Sequence, residues 1–299
     1  MPKSYIVDDD YQDVRLDKWF KQKIIDLPHS LIERIIRQNK IKLNKKKAKS
    51  SYRLQTGDLI EVFDISRFKA KDSNNKIKYI PKKKELIKYE DYVIENNNNF
   101  IVINKPAGIP VQSGTKSFKN ITDVLKSSKY FQGTTPYIVH RIDKETSGIL
   151  IVAKNRKFAQ LFTTLFRIRK IHKTYLALAY GKINKSVKCM RDELTYFENK
   201  KKITQKAISN IKIIKSNDEL SYVELNPITG RKHQLRKQLL NLGNPIIGDD
   251  KYFLNNFRKI KVKNLMLHAY KIKFIINNVK YNFKAEYNNY FEQLLKEKF

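Results

Sequence analysis

The first part of the chain places apolar residues at helical spacing. One apolar face of a first predicted helix consists of Leu16, Trp19, Phe20 and Ile24. A second predicted helix has an apolar stripe of Ile32, Ile35 and Ile36. Asp13 is placed to cap the first helix, and Ser30 with Glu33 has the spacing of a capping box at the start of the second.

Short strands are predicted to follow these two helices. The segments IKLN and LIEV are apolar runs separated by a lysine-rich turn and by Gly57-Asp58. Residues 13–63 therefore read as a small α+β module, which is too small for a deep cleft but large enough to present one basic face. The polar stretch that follows indicates a linker over residues 64–86 and loop chemistry as far as Asn99, with one possible strand near Ile77–Ile80.

From Phe100 onward, strand-like runs dominate and do not alternate regularly with helices. These runs are FIVIN, ILIVA, TYLALAY and YVELN. Helices are predicted over Lys157–Arg169 and Arg231–Leu242, and a hairpin is predicted to turn at Asn277-Asn278. This pattern favours an α+β domain with a large sheet over residues 87–299, rather than a doubly wound parallel fold.

The charge balance narrows the range of partners. Lys and Arg number 62 against 29 Asp and Glu, which gives a formal net charge of +33. A surface of this sign attracts polyanions, either nucleic acid or an anionic membrane face. No run approaches the roughly 20 apolar residues of a membrane span, and we expect no membrane association. The single cysteine, Cys189, excludes an internal disulfide and suits a reducing cytoplasm, and the scattered histidines argue against a metal enzyme.

The segment HRIDKETSG contains the most informative polar cluster. It places Arg141 and Asp143 in a polar turn just before a predicted strand. An aspartate has an ordinary pKa of about 3.9 and is ionised at neutral pH, as a nucleophile or a general base must be. On the residues alone, the more ordinary interpretation is a structural turn in which Asp143 pairs with Arg141.

This segment resembles the central motif of the RluA/RluC-type pseudouridine synthases, and four further segments agree with that family in order and spacing. They are INKPAGIPV, HKTYLALAYG, ITGRKHQLRKQLLNLGNPIIGDDKY and LMLHAYKIKF. The N-terminal module is similar to the S4-like RNA-binding domain that precedes many of these catalytic domains. The resemblance implies a catalytic domain with a large mixed, mostly antiparallel sheet, whose helices flank a central cleft.

The resemblance also implies roles for single residues. Asp143 would act on the ribose, and Arg236 would pair with it, with Arg231 as a second candidate for that place. Tyr175 would lie against the uracil ring, and its hydroxyl could take part in proton removal. The remaining substrate contacts implied in the catalytic domain are Arg141, Leu267 and Lys105.

The remaining polar residues are expected either to contact RNA or to have structural roles. In the N-terminal module, RNA contacts are expected from Arg15, Arg34, Arg37 and Lys40, although such a basic face can also be simply solvated. The pair Asp249-Asp250 is more typical of a turn than of a metal site, and His233 and His268 are expected to be structural partners.

The resemblance implies an enzyme that isomerises uridines to pseudouridine and needs no cofactor. Segments around VQSGTKSF and GDDKYF are most similar to the branch that acts on large-subunit (23S) ribosomal RNA. Two alternatives stay open, namely a synthase of the same family that acts on tRNA and a non-catalytic RNA-binding or ribosome-assembly protein. We expect a cytoplasmic monomer, since no coiled-coil heptads indicate a dimer.

Overall fold

The chain divides into two compact units. The computed structural model describes all residues except 1, 65–78, 80, 113–118, 133, 199–200 and 288. The units are Met1–Lys78 and Tyr79–Phe299. Most of the strand predicted near Ile77–Ile80 lies outside the described residues.

The N-terminal unit packs two helices against a small antiparallel sheet. Its elements are β1 (Lys3–Ile6), α1 (Leu16–Lys23), α2 (His29–Arg37), β2 (Ile41–Leu43), β3 (Lys46–Lys47) and β4 (Leu59–Val62). The strand order is β1-β4-β2-β3. Strand β1 precedes residue 13, where the sequence analysis began this module, and pairs with β4. The predicted apolar faces of both helices are buried around Trp19, Phe20 and Ile35.

Both helix starts differ from the predicted ones. Asp13 is not the cap of α1, because it has a left-handed backbone with φ 62° and its carboxylate bonds to Arg53 at 3.0 Å. Ser30 lies inside α2, because the carbonyl of Pro28 already accepts a hydrogen bond from the amide of Ile32 at 3.1 Å. The capping-box prediction was therefore wrong, and proline sets the start of α2 instead.

The C-terminal unit is built on one large sheet, which confirms the predicted fold class. Its helices are α3 (Lys83–Glu90), α4 (Ile121–Lys126), α5 (Arg156–Arg167), α6 (Gln234–Asn241) and α7 (Asn289–Lys298). Its strands are β5 (Val93–Asn96), β6 (Phe100–Lys105), β7 (Tyr137–Ile138), β8 (Ser147–Ala153), β9 (His172–Tyr180), β10 (Cys189–Glu198), β11 (Lys201–Ser216), β12 (Leu220–Pro227), β13 (Leu267–Ile276) and β14 (Val279–Lys284).

The sheet is mixed and mostly antiparallel. Its main path runs β10-β11-β12-β9-β13-β8-β6-β5, with β14 beside β13 and β7 beside β8. Among the described strands, only β13 and β8 pair in parallel. Helix α3 and strand β5 occupy residues predicted as linker or loop, so that prediction was wrong there.

A close backbone approach fixes the parallel pair at the centre of the sheet. Gly148, the second residue of β8, has φ +108°, and a Cβ atom at this position would meet the backbone of Ala269, with the Ala269 nitrogen only 2.6 Å away. Ser147 Oγ lies 2.8 Å from His268 Nδ1, and His268 Nε2 lies 2.9 Å from the carbonyl of Ala285. His268 is thus a buried structural partner, and its burial lowers its pKa to about 4. These contacts hold the turn before β8 against β13.

Candidate active site

Asp143 lies in the turn between β7 and β8, at the wall of a cleft. The amide of Thr146 donates to the Asp143 carbonyl at 3.2 Å, which closes the turn. The Asp143 side chain is 26% exposed. Its carboxylate oxygens lie 3.7 Å from Arg236 Nη1 and 3.8 Å from His233 Nε2. The acid is therefore reachable from the cleft and faces positive or neutral nitrogen atoms.

The cleft beside Asp143 has a volume of about 530 Å³ and contains most of the predicted catalytic-domain residues. Those that line it are Arg141, Asp143, Tyr175, Arg231, Arg236 and Leu267. Tyr175 and Leu267 come from the neighbouring strands β9 and β13. Asp143 comes from the turn that precedes β8, and β8 pairs with β13. The sheet thus brings together residues that are far apart in sequence.

Tyr175 contributes a protonated hydroxyl and part of an apolar wall. Burial raises the pKa of its hydroxyl well above the ordinary value, and the negative charge of Asp143 raises it further. The hydroxyl therefore carries its proton throughout the physiological range. A half-buried ring beside Leu267 offers a flat apolar surface to a planar base.

Arg236 has a stronger partner than Asp143. Its Nε and Nη2 atoms donate to the two carboxylate oxygens of Asp249 at 2.6 and 2.8 Å, and the Asp249 side chain is fully buried. Asp249 also accepts hydrogen bonds from the amides of Lys251 and Tyr252. Only Nη1 of Arg236 turns toward Asp143. Asp249 thus occupies a turn, as expected, and in addition fixes the guanidinium that the sequence analysis assigned to Asp143.

Of the two arginines considered for pairing with Asp143, Arg236 is the one within ion-pair distance. Arg231 lines the same cleft, but its Nε atom donates to the carbonyl of Lys206 at 3.2 Å. Arg231 begins the loop before α6, whose buried Gln234 side chain accepts from the Arg231 amide at 3.0 Å. Arg231 is therefore placed at the cleft wall and not at the acid.

His233 also lies beside Asp143, a position that was not predicted from the sequence. His233 has a left-handed backbone with φ 54° immediately before α6, and its Nδ1 lies 2.9 Å from the Tyr252 hydroxyl. Burial lowers the pKa of His233, and the charge of Asp143 opposes this effect. The signal was present in the spacing, because His233 and Arg236 are three residues apart and lie on the same side of a helix start.

Lys105 does not face the cleft, so its assignment as a substrate contact was wrong. Its side chain is fully buried, and Nζ donates to the carbonyls of Pro106, Ile109 and Lys144 at 2.8, 2.9 and 3.1 Å. Burial lowers its pKa to about 7. Lys105 instead ties the loop after β6 to the residue that follows Asp143.

In the N-terminal unit, the side chains predicted to contact RNA differ in their exposure and in whether a carboxylate already pairs with them. The Nη2 atom of Arg15 bonds to the buried Asp17 carboxylate at 2.6 Å, so this side chain is already engaged. Arg34 and Arg37 are exposed on α2, and Lys40, which follows it, is half-buried. Among the described residues, Arg34 and Arg37 have no carboxylate partner.

Two family profiles match the chain. The profile described as RNA pseudouridylate synthase matches residues 99–241, and the S4 domain profile matches residues 14–60. These matches include the Asp143 turn, the start of β9 and α6, and the two helices of the N-terminal unit. In the part of the chain that the structure describes, no helix has the length and apolarity needed to cross a membrane.

Relatives and solved structures give the same assignment. A ribosomal large subunit pseudouridine synthase C of Rickettsia conorii is 37% identical over 272 residues, which cover 86% of this chain and 88% of the relative. The enzyme of the same name from Vibrio parahaemolyticus is 29% identical over 280 residues, covering 90% and 87%. The solved human RNA pseudouridylate synthase domain containing 4 superposes with a TM-score of 0.61 at 27% identity, covering 71% of this chain and 94% of its own. With this agreement of sequence, fold and cleft, the chain belongs to the RNA pseudouridylate synthase family.

Proposed function

We propose that this protein converts specific uridines of large-subunit (23S) ribosomal RNA to pseudouridine in the cytoplasm, acting as a monomer. The observation that carries the proposal is Asp143, the single acid among the described residues that line the cleft, which lies among cationic side chains together with the Tyr175 ring. The names of the relatives from Rickettsia and Vibrio support ribosomal RNA as the substrate. A cleft of this charge suits a polyanion that has to present one nucleotide to a carboxylate.

The reaction is an isomerisation in which atoms balance without a co-reactant. The bond between the ribose C1′ and the uracil N1 breaks, the base rotates, and C1′ bonds to C5. The proton on C5 is lost and N1 gains one, so the composition does not change. Asp143 acts on the ribose, either by attacking C1′ as a nucleophile or by removing a neighbouring ribose proton.

The other residues of the cleft hold and orient the nucleotide. Nη1 of Arg236, 3.7 Å from the Asp143 carboxylate, holds that side chain in its position at the cleft. Tyr175 and Leu267 receive the detached uracil, and the Tyr175 hydroxyl, which keeps its proton, donates a hydrogen bond to it. Arg141, exposed at the cleft, fills the place that the extruded nucleotide leaves in the RNA.

The nucleotide map of a strain that lacks the gene tests the proposed function. Pseudouridines are mapped in ribosomal and transfer RNA of the deletion strain and of the same strain with the wild-type gene restored. We expect one or more 23S sites to disappear and to return with the gene. Loss of tRNA sites alone would contradict the substrate, and an unchanged map would indicate a non-catalytic protein.

The N-terminal unit is proposed to bind the RNA backbone through α2. We expect the double variant Arg34→Ala/Arg37→Ala to lower the slope of log affinity against log salt by about 1.4 to 1.8, because each lost phosphate contact contributes about 0.7 to 0.9. Filter binding of a 23S fragment between low and moderate salt measures this slope.

The matched control for this variant removes the same charge from the other helix. In Lys21→Ala/Lys23→Ala both lysines come from α1, where they pair with Asp26 and Asp8. We expect this control to change the slope by less than half as much. Equal slopes for the two double variants would show that α2 is not the RNA-binding face.

A further inference from the structure

Helix α5 ends in a turn that places an arginine where glycine is usually found. The C-cap is Ile168, the amide of Arg169 donates to the carbonyl of Phe166 at 3.2 Å, and the amide of Lys170 donates to the carbonyl of Leu165 at 2.9 Å. These two bonds define a Schellman motif, in which the residue after the C-cap has a left-handed backbone. That residue is Arg169, with φ 60°.

An arginine at this position does not help the fold. Glycine adopts the left-handed region freely and asparagine tolerates it, whereas the Cβ atom of other residues meets the following carbonyl. The motif commonly includes an apolar contact from the second residue after the C-cap, and here that residue is the exposed Lys170. The side chain of Arg169 therefore has to be explained by something other than helix termination.

Arg169, in the turn at the end of α5, lies at the wall of the Asp143 cleft. Arg169 lines the cleft together with Arg167 and Lys173, whereas the adjacent Lys170 does not. The α5 end and the start of β9 thus supply three cations to one wall. None of these three residues is among the side chains near Asp143, which are Arg236 and His233, or pairs with Asp249.

The cleft has a large excess of uncompensated positive charge. Six cationic side chains and one carboxylate line it, and Arg236 is the only one of the six that lies within ion-pair distance of a carboxylate in the described chain. The other five are Arg141, Arg167, Arg169, Lys173 and Arg231. Of the three cations on this wall, Lys173 is half-buried, which lowers its pKa, whereas Arg167 and Arg169 are exposed. Such a wall gains most from an anionic partner.

We propose that Arg169 binds a backbone phosphate next to the uridine held at Asp143, and that its left-handed backbone aims the guanidinium into the cleft. This inference rests on the proposed function, since the anion is a phosphate of the RNA substrate. Arg169 is a positioning residue: it fixes the strand and does not touch the reacting atoms. An extruded nucleotide leaves its two flanking phosphates close to the mouth of the cleft, within reach of a long side chain at its wall.

The test separates the stability of the turn from the binding of RNA. In the full chain, Arg169→Gly and Arg169→Asn keep the left-handed turn and remove the cation. We expect a melting temperature equal to or above that of the wild type. Affinity for a labelled single-stranded oligouridylate should fall about tenfold near 0.1 M salt, and the salt slope should fall by about 0.7.

Two further variants make the result specific. Lys170→Ala removes the same charge one residue away, outside the cleft wall, and should change affinity less than twofold. Arg169→Lys keeps a cation at the cleft and should recover most of the affinity. In single-turnover conversion of a 23S transcript, we expect Arg169→Gly to need more enzyme for half-saturation while the rate at saturation stays within about threefold.

Several outcomes would overturn the inference. One is Arg169→Gly with wild-type affinity and slope, and another is an equal loss in Lys170→Ala. A lowered melting temperature in both Arg169→Gly and Arg169→Asn would show that the arginine stabilises the turn itself. Oligouridylate binding needs no turnover, so a difference in binding without conversion of any ribosomal uridine would contradict the proposed function and leave the phosphate contact intact.

Discussion

Replacing Asp143 by Asn is expected to lower the rate of uridine conversion by roughly 10³- to 10⁴-fold, because a side chain of the same volume then has neither a nucleophilic oxygen nor basicity. Among the described residues that line the cleft, the same change removes the only carboxylate and leaves six cationic side chains. RNA affinity should therefore stay equal or increase. Single-turnover conversion of 23S RNA, together with a binding isotherm, measures both effects.

Glu145→Gln is the matched control for this variant. Glu145 lies two residues further along the same turn, is 48% exposed, and approaches Arg236 Nη1 at 3.6 Å, close to the distance from Asp143. The control removes an equal charge near the same guanidinium, and we expect its rate to stay within about tenfold of the wild type. Conversion by Asp143→Asn at a comparable rate, in protein with an unchanged melting temperature, would refute the role of Asp143.

Asp249→Asn is expected to destabilise the protein by about 3 kcal/mol, because it leaves the largely buried Arg236 guanidinium without its main carboxylate partner. For a unit of this size, that change corresponds to a fall in melting temperature of roughly 6 to 12 °C. At a temperature where the variant is folded, kcat should fall at least about tenfold with a smaller change in KM. The reason is that Arg236 no longer holds Nη1 fixed beside Asp143.

The neighbouring acid provides the control for the second prediction. Asp250 is 92% exposed and pairs with Lys259 at 3.0 Å on the surface. We expect Asp250→Asn to change stability by no more than about 0.5 kcal/mol and kcat by less than twofold. If Asp249→Asn and Asp250→Asn have the same melting temperature and kcat, Asp249 does not hold the Arg236 guanidinium in place.

The sequence predicted those strands whose inward positions are apolar. Strands β6, β8, β9 and β12 were found for this reason, and the hairpin turn was found because Asn277 and Asn278 both take the left-handed backbone that a tight hairpin needs. The long hairpin of β10 and β11 was missed. On β11 the inward position between Ala207 and Ile211 is Ser209, whose hydroxyl is satisfied by Gln238 on α6, so the alternation of apolar residues is broken.

The active site could be predicted residue by residue but not as a set of contacts. The motifs identified Asp143, Tyr175 and Arg236, and the fold places all three at one cleft. The pairing of Arg236 with Asp249 depends on a turn 13 residues away, which local patterns do not describe. Lys105 was misassigned because a lysine is ordinarily exposed, and here three backbone carbonyls compensate for its burial.

The close approach of Gly148 to Ala269 has a consequence for the choice of target. Because these two backbones are in contact, we expect the loop with the acid and the strand with Leu267 to move as one block and not to open around a base-paired helix. The RNA, and not the protein, then has to change its conformation, because a base must unstack before it can enter the cleft. Uridines in hairpin loops, bulges and other weakly paired regions lose the least stacking and pairing energy when they are extruded. We therefore expect such uridines to be the preferred targets of this cleft.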